Sequence, residues 1–103
     1  MCGSSKDGLD LVYVSFQHDQ NWSYTIQATQ AVSYPESIQQ VLTNTDQCSG
    51  SELMQRDVLF GQFLGNSIRK FIERNEFEDI DVVGIHGHTV FHQPNLGFSY
   101  QLG

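Results

Sequence analysis

A chain of 103 residues has room for one domain with a modest core. With 39% apolar and 17% charged residues and no polar low-complexity tract, its composition is that of a globular protein and excludes a disordered one. Twelve acids against five bases leave a formal charge of −7, which argues against non-specific binding to nucleic acid or to an anionic membrane.

A nucleotide stays open, because a nest of backbone N–H groups holds phosphate without any lysine. Cys2 and Cys48 lack a paired framework and read as ordinary reduced thiols. No apolar run approaches the ~20 residues that span a bilayer. Nor do the first residues carry a basic-then-apolar leader, so the expectation is a cytoplasmic protein.

In chain order, "GSSKDG" (residues 3–8) is a turn of small and polar residues, and "LDLVYVSF" (9–16) is a strand. After the turn "HDQN", residues 22–34 alternate: Trp22, Tyr24, Ile26 and Ala28 share one parity, which predicts a half-buried antiparallel strand. Pro35 suits the first turn of a short helix carrying Ile38, Val41 and Leu42. A longer helix is predicted from Ser51 as N-cap, with Leu53, Phe60, Leu64, Ile68 and Phe71 near one face and Lys70 and Arg74 near its end. Gly61 and Gly65, four apart, predict either a close backbone approach or local fraying.

Beyond the solvated acids of "ERNEFEDID", the run "IDVVGIHG" (80–87) reads as a strand buried on both faces. "TVFHQ" and "FSYQL" read as two more strands around the turn "PNLG". The predicted order is β-β-α-α-β-β-β, a mixed α/β layer domain without linker or repeat. The opening turn has a strand after it and almost nothing before it, and "SYQLG" stops at a strand, so both ends read as cut.

His86, His88 and His92 fall within seven residues. On one straight strand they would share a face, and histidines two apart can reach one Zn²⁺. Gly87 makes a straight strand doubtful. Structural histidines, a metal site and a substrate-lining wall are the three readings. The turn at 3–8, extended through Leu9 and Asp10, offers N–H groups and hydroxyls to a phosphate, and Asp7 and Asp10 could hold water around Mg²⁺. It is neither the P-loop nor the dinucleotide fingerprint, and no nucleophile elbow appears.

Together, "MCGSSKDGLDLVYVSF" and "VVGIHGHTVFHQP…GFSYQLG" resemble the N-terminal part of the anhydro-N-acetylmuramic acid kinase family, with its "MSGTSLDGIDVAL" and "GSHGQTVxHxP…QIGDG" patterns. Met1, Gly3, Ser5, Asp7, Gly8 and Asp10 match the first, with Ser4 in place of Thr. His86, Gly87, Thr89, Val90, His92, Pro94, Gln101 and Gly103 match the second, and "DVLFGQFLGNSIRKFI" is similar to the helix between them.

The resemblance implies a partial ribonuclease-H-like domain of the actin/hexokinase-like ATPase superfold, residues 1–103 being one domain of a longer two-domain kinase. It implies ATP and Mg²⁺ used to open the 1,6-anhydro ring with water while phosphorylating the 6-oxygen, a cell-wall recycling step. Gly3, Ser4, Ser5, Lys6, Asp7, Gly8, Leu9 and Asp10 would then bind ATP phosphates, with Asp7 and Asp10 toward Mg²⁺. His86, Gly87, Thr89 and Gln101 would line the sugar cleft, which favours the sugar wall over zinc.

Cys2, Lys6 and His88 depart from the family pattern, His88 standing where Gln is usual. The "DTGPGN" segment, whose Asp is the general base, is not in these residues. The isolated chain is therefore expected to be inactive, with an open strand edge that invites homo-oligomers. A non-catalytic binding or chaperone-like module of the same superfold is the alternative.

Overall fold

The computed structural model describes residues 7–103. Strands β1 (Gly8–His18) and β2 (Trp22–Ser33) form one antiparallel pair, and β3 (His88–Gln93) and β4 (Phe98–Leu102) form another. Between them lie helices α1 (Glu36–Val41) and α2 (Gly50–Asn75), with 3₁₀ turns at Thr45–Gln47 and Pro94–Leu96. The mixed α/β class is as expected. No helix among the described residues is long and apolar enough to cross a membrane.

The β1–β2 hairpin changes its apolar face halfway along. Leu9, Leu11 and Tyr13 oppose Val32, Gln30 and Ala28 on the face that meets the core. The register then slips, Val14 pairing with Ile26 and leaving Gln27 as the extra residue. A bulge reverses the parity of its strand. Ile26, Tyr24 and Trp22 therefore join Val14, Phe16 and His18 on the outer face, while Ser15 and Thr25 take the inner one. Trp22 is 73% exposed, so the single half-buried parity expected for residues 22–28 does not hold.

Helix α2 starts at a capping box. Ser49, not Ser51, is the N-cap: its Oγ accepts from the Glu52 N–H, and its own N–H donates to Glu52 Oε2 at 2.9 Å. The helix then runs unbroken for 26 residues, about 39 Å. Gly61 and Gly65 do not fray it. Phe60, Leu64 and Phe71 are buried, and Tyr34 stands edge-on to both Phe60 (5.9 Å) and Phe63 (5.6 Å). Glu76 ends the helix in a left-handed conformation.

Residues 77–87, which include the expected strand at 80–87, form no ladder, so one predicted strand is absent. The apolar run is there, but Val82 is 82% exposed and no neighbouring strand meets its backbone. An extended segment needs a ladder to satisfy its N–H and C=O groups, and hydrophobicity alone does not supply one. Among the described residues β1 pairs only with β2. Its other edge looks across a groove of about 270 Å³ toward residues 80–86, over Leu64, Ile68 and Phe71 of α2. Tyr13 stacks on Phe77 at 4.0 Å and donates its hydroxyl to the Asp79 carbonyl at 3.4 Å, tying the two walls together.

Candidate functional site

The β3–β4 hairpin sorts the histidine-rich stretch by face. Gly87 has φ +68°, and a Cβ there would collide with the Leu102 carbonyl oxygen, so the chain turns tightly into β3 at a position reserved for glycine. His88 opposes Leu102 and is buried with it against α2. Thr89 opposes Gln101 on the solvent face. The register then slips at Val90, so that Phe91 opposes Tyr100 and His92 opposes Ser99. Because of the slip, His92 lies on the same face as Thr89 although the two are three residues apart.

The three histidines do not form one cluster. His86 lies in the irregular segment and lines the groove, His88 faces the core, and His92 is on the exposed face. This overturns the shared face that a straight strand required. Among the described residues no group of three or more His, Cys, Asp or Glu stands ready to hold a metal ion.

Two side-chain pairs do form on the exposed face. Gln101 Nε2 donates to Thr89 Oγ1 at 3.4 Å, and His92 Nδ1 meets Ser99 Oγ at 2.9 Å. Together they offer an amide, two hydroxyls and an imidazole on a rigid two-stranded support, a set of donors and acceptors that suits sugar hydroxyls. Of the four residues expected to line a sugar, Thr89 and Gln101 are brought together, Gly87 makes the turn beside them, and His86 stands apart by the groove. Ser99 was missed. Its place opposite His92 follows from the slip at Val90, which the sequence does not announce.

In the expected phosphate turn, Gly3, Ser4, Ser5 and Lys6 lie outside the described residues. The Asp7 carbonyl accepts the Tyr34 N–H at 3.1 Å, pinning the start of β1 to the end of β2. A Cβ at Gly8 would sit 2.9 Å from the Val32 carbonyl oxygen, so the two strands need glycine there. Leu9 puts its side chain in the core, which leaves only its backbone for a phosphate, and Asp10 is exposed on the opposite face. Asp7 and Asp10 are hard oxygen donors near the surface, of the kind that suits water-bridged Mg²⁺.

Comparison with known proteins adds independent findings. A family model described as anhydro-N-acetylmuramic acid kinase matches residues 1–103. The chain is 34% identical to the anhydro-N-acetylmuramic acid kinase of Mannheimia succiniciproducens, over 99% of this chain and 28% of that protein. It is 31% identical to the kinase of the same name from Nitrosomonas europaea, over 99% of this chain and 29% of the relative. A shorter stretch, 36% of this chain and 10% of the relative, is 54% identical to the corresponding kinase of Methylorubrum extorquens. The chain thus spans less than a third of the length of the relatives it matches throughout.

Proposed function

Because the chain belongs to the anhydro-N-acetylmuramic acid kinase family, we propose that it is the N-terminal part of a two-domain kinase acting on 1,6-anhydro-N-acetylmuramic acid. In that reaction the γ-phosphoryl group of ATP passes to the sugar 6-oxygen. Water adds at the anomeric carbon as its bond to that oxygen breaks, and ADP leaves. The observation that carries the reading is the polar face of β3–β4, where Thr89 and Gln101 meet within a chain that the family model matches from end to end.

In this reading residues 3–10 would hold the ATP phosphates, and Asp7 and Asp10 would hold Mg²⁺ through water. Mg²⁺ would supply charge neutralisation at the phosphates. Thr89 and Gln101, set by the Gly87 turn, hold sugar hydroxyls, and His86 would reach the sugar from the groove side. Phosphoryl transfer rests mainly on positioning and electrostatics, which rigid strands and a tight backbone turn can provide. The general-base carboxylate comes from outside these residues. The ribonuclease-H-like, actin/hexokinase-like superfold is the architecture we assign to the whole protein, and the cytoplasm, where ATP is plentiful, is its place of action. Among the described residues β1 pairs only with β2, which supports self-association of the isolated chain by strand addition.

A kinase assay tests the reading. The protein extended to the length of its relatives should consume ATP when the anhydro sugar is present, and residues 1–103 alone should not. Sugar-dependent turnover by the 103-residue chain would overturn the assignment of the catalytic base to other residues.

A further inference from the structure

The last residue of the matched "QLG" stretch is held by a carboxylate 46 positions earlier. The backbone N–H of Gly103 donates to Asp57 Oδ1 at 2.8 Å. Asp57, Phe60, Gly61 and Leu64 stand at helical spacings i, i+3, i+4 and i+7, and so share one stripe of α2. That stripe is built around Gly103. A side chain on Gly103, at φ +100°, would lie 2.5 Å from Leu64 Cδ1 and 3.1 Å from Phe60 Cδ1. A Cβ at Gly61 would stand 4.0 Å from the Gly103 Cα, an ordinary contact distance, so the strand end lies beside this turn of the helix. Neither glycine of the pair is required by a close backbone approach, since a Cβ at Gly61 would make only an ordinary contact and nothing lies within 4 Å of a Cβ at Gly65.

We propose that Asp57 is a positioning residue for sugar binding, acting through the Gly103 backbone to fix Gln101 on its face; this rests on the sugar-wall reading above. The chain of contacts is short. Asp57 holds Gly103, Leu102 is buried in the core, and Gln101 therefore points outward to Thr89. An N–H to carboxylate bond is charge-assisted and directional, so it sets the orientation of the strand end as well as its distance. The burial of Leu102 and the pairing of Gln101 with Thr89 set the face, and the Asp57 bond holds the end of the strand beyond them.

The test uses the full-length kinase with Asp57→Ala and Asp57→Asn, together with the 103-residue chain labelled for NMR. Asp57→Ala should raise KM for the anhydro sugar about tenfold and leave KM for ATP unchanged, while Asp57→Asn, which keeps an acceptor oxygen, should restore KM to within about threefold. In the 103-residue chain the Gly103 amide should be protected from exchange, and Asp57→Ala should remove that protection and broaden the Gln101 and Thr89 resonances. An unprotected Gly103 amide in the unmodified chain overturns the proposal, as does an Asp57→Ala kinase with unchanged sugar KM. Equal losses for sugar and ATP without rescue by Asn would mean a purely structural residue, which also overturns it. A full-length protein without sugar-dependent kinase activity sinks the sugar reading itself, and the exchange experiment still decides whether Asp57 holds the strand end.

Discussion

The imidazole of His88 stands edge-on to Phe60, with ring centroids 6.4 Å apart and an interplanar angle of 81°. Phe60 is wholly buried, touches Tyr34 on another side and forms part of the seat of Gly103. It thereby joins both hairpins to α2. Phe60→Ala should cost about 3–5 kcal/mol, a large share of the ~5–15 kcal/mol that holds a small domain together. Urea unfolding measures it, and a loss under about 1 kcal/mol would mean that the two hairpins do not share this core.

Arg56 closes the open end of α1. Its Nη1 donates to the carbonyl oxygens of Val41 at 2.9 Å and Thr43 at 2.5 Å, with Gln40 at 3.5 Å. The Val41 and Thr43 carbonyls lie where intrahelical donors run out, while that of Gln40 also accepts the Thr43 N–H at 3.2 Å, and a cation there suits the helix dipole. Arg56→Ala should destabilise the chain by about 1–3 kcal/mol, and lysine should recover part of that. Thermal melts of the two variants check the order: wild type, then lysine, then alanine.

Glu52 gives the chain a predictable acid limb. Its pKa is lowered from the ordinary 4.5 by hydrogen bonds from the Ser49 side chain and backbone, with a smaller contribution from Arg56. A lowered folded-state pKa adds stability that is complete above the unfolded value and lost as pH falls through the folded one. Stability should therefore decline below about pH 4.5, and Glu52→Gln should remove part of that decline. Melts of both proteins between neutral and acid pH test this; parallel pH profiles would contradict it.

The edge of β1 that no other strand covers among the described residues should make the isolated chain associate. Val12 is 49% exposed, and beyond the edge lies the apolar groove. Sedimentation at rising concentration should show dimers or larger species, and Val12→Lys, a charge of the kind that guards natural edges, should reduce them. A monodisperse monomer at high concentration would contradict the strand-addition account.

The legible parts of the sequence were those whose structure follows from local pattern. Period-two runs placed β1 and β2, and the stripe from Leu53 to Phe71 placed α2. Its true N-cap was also legible, since Ser49 and Glu52 have the spacing of a capping box while Ser51 does not. Residues 80–87 misled because their composition is that of a strand while the ladder depends on a partner that the described residues lack.

The two register slips, at Gln27 and Val90, moved side chains between faces with no sequence mark. They put Trp22 outward and His92 beside Ser99. The unusual acid on the apolar stripe of α2, Asp57 three residues before Phe60, was visible in the sequence. Its partner was not, because Gly103 reaches it only through the tertiary fold.

Gln101 provides the most direct test of the central claim, that the polar face of β3–β4 is a sugar wall. The measurement is the steady-state kinetics of anhydro-sugar phosphorylation by the full-length protein and its Gln101→Ala variant. Loss of a hydrogen-bonding amide to the substrate predicts kcat/KM for the sugar lowered by about tenfold or more, with KM for ATP unchanged. Unchanged sugar kinetics in Gln101→Ala, or no sugar-dependent turnover by the unsubstituted protein, would contradict the account.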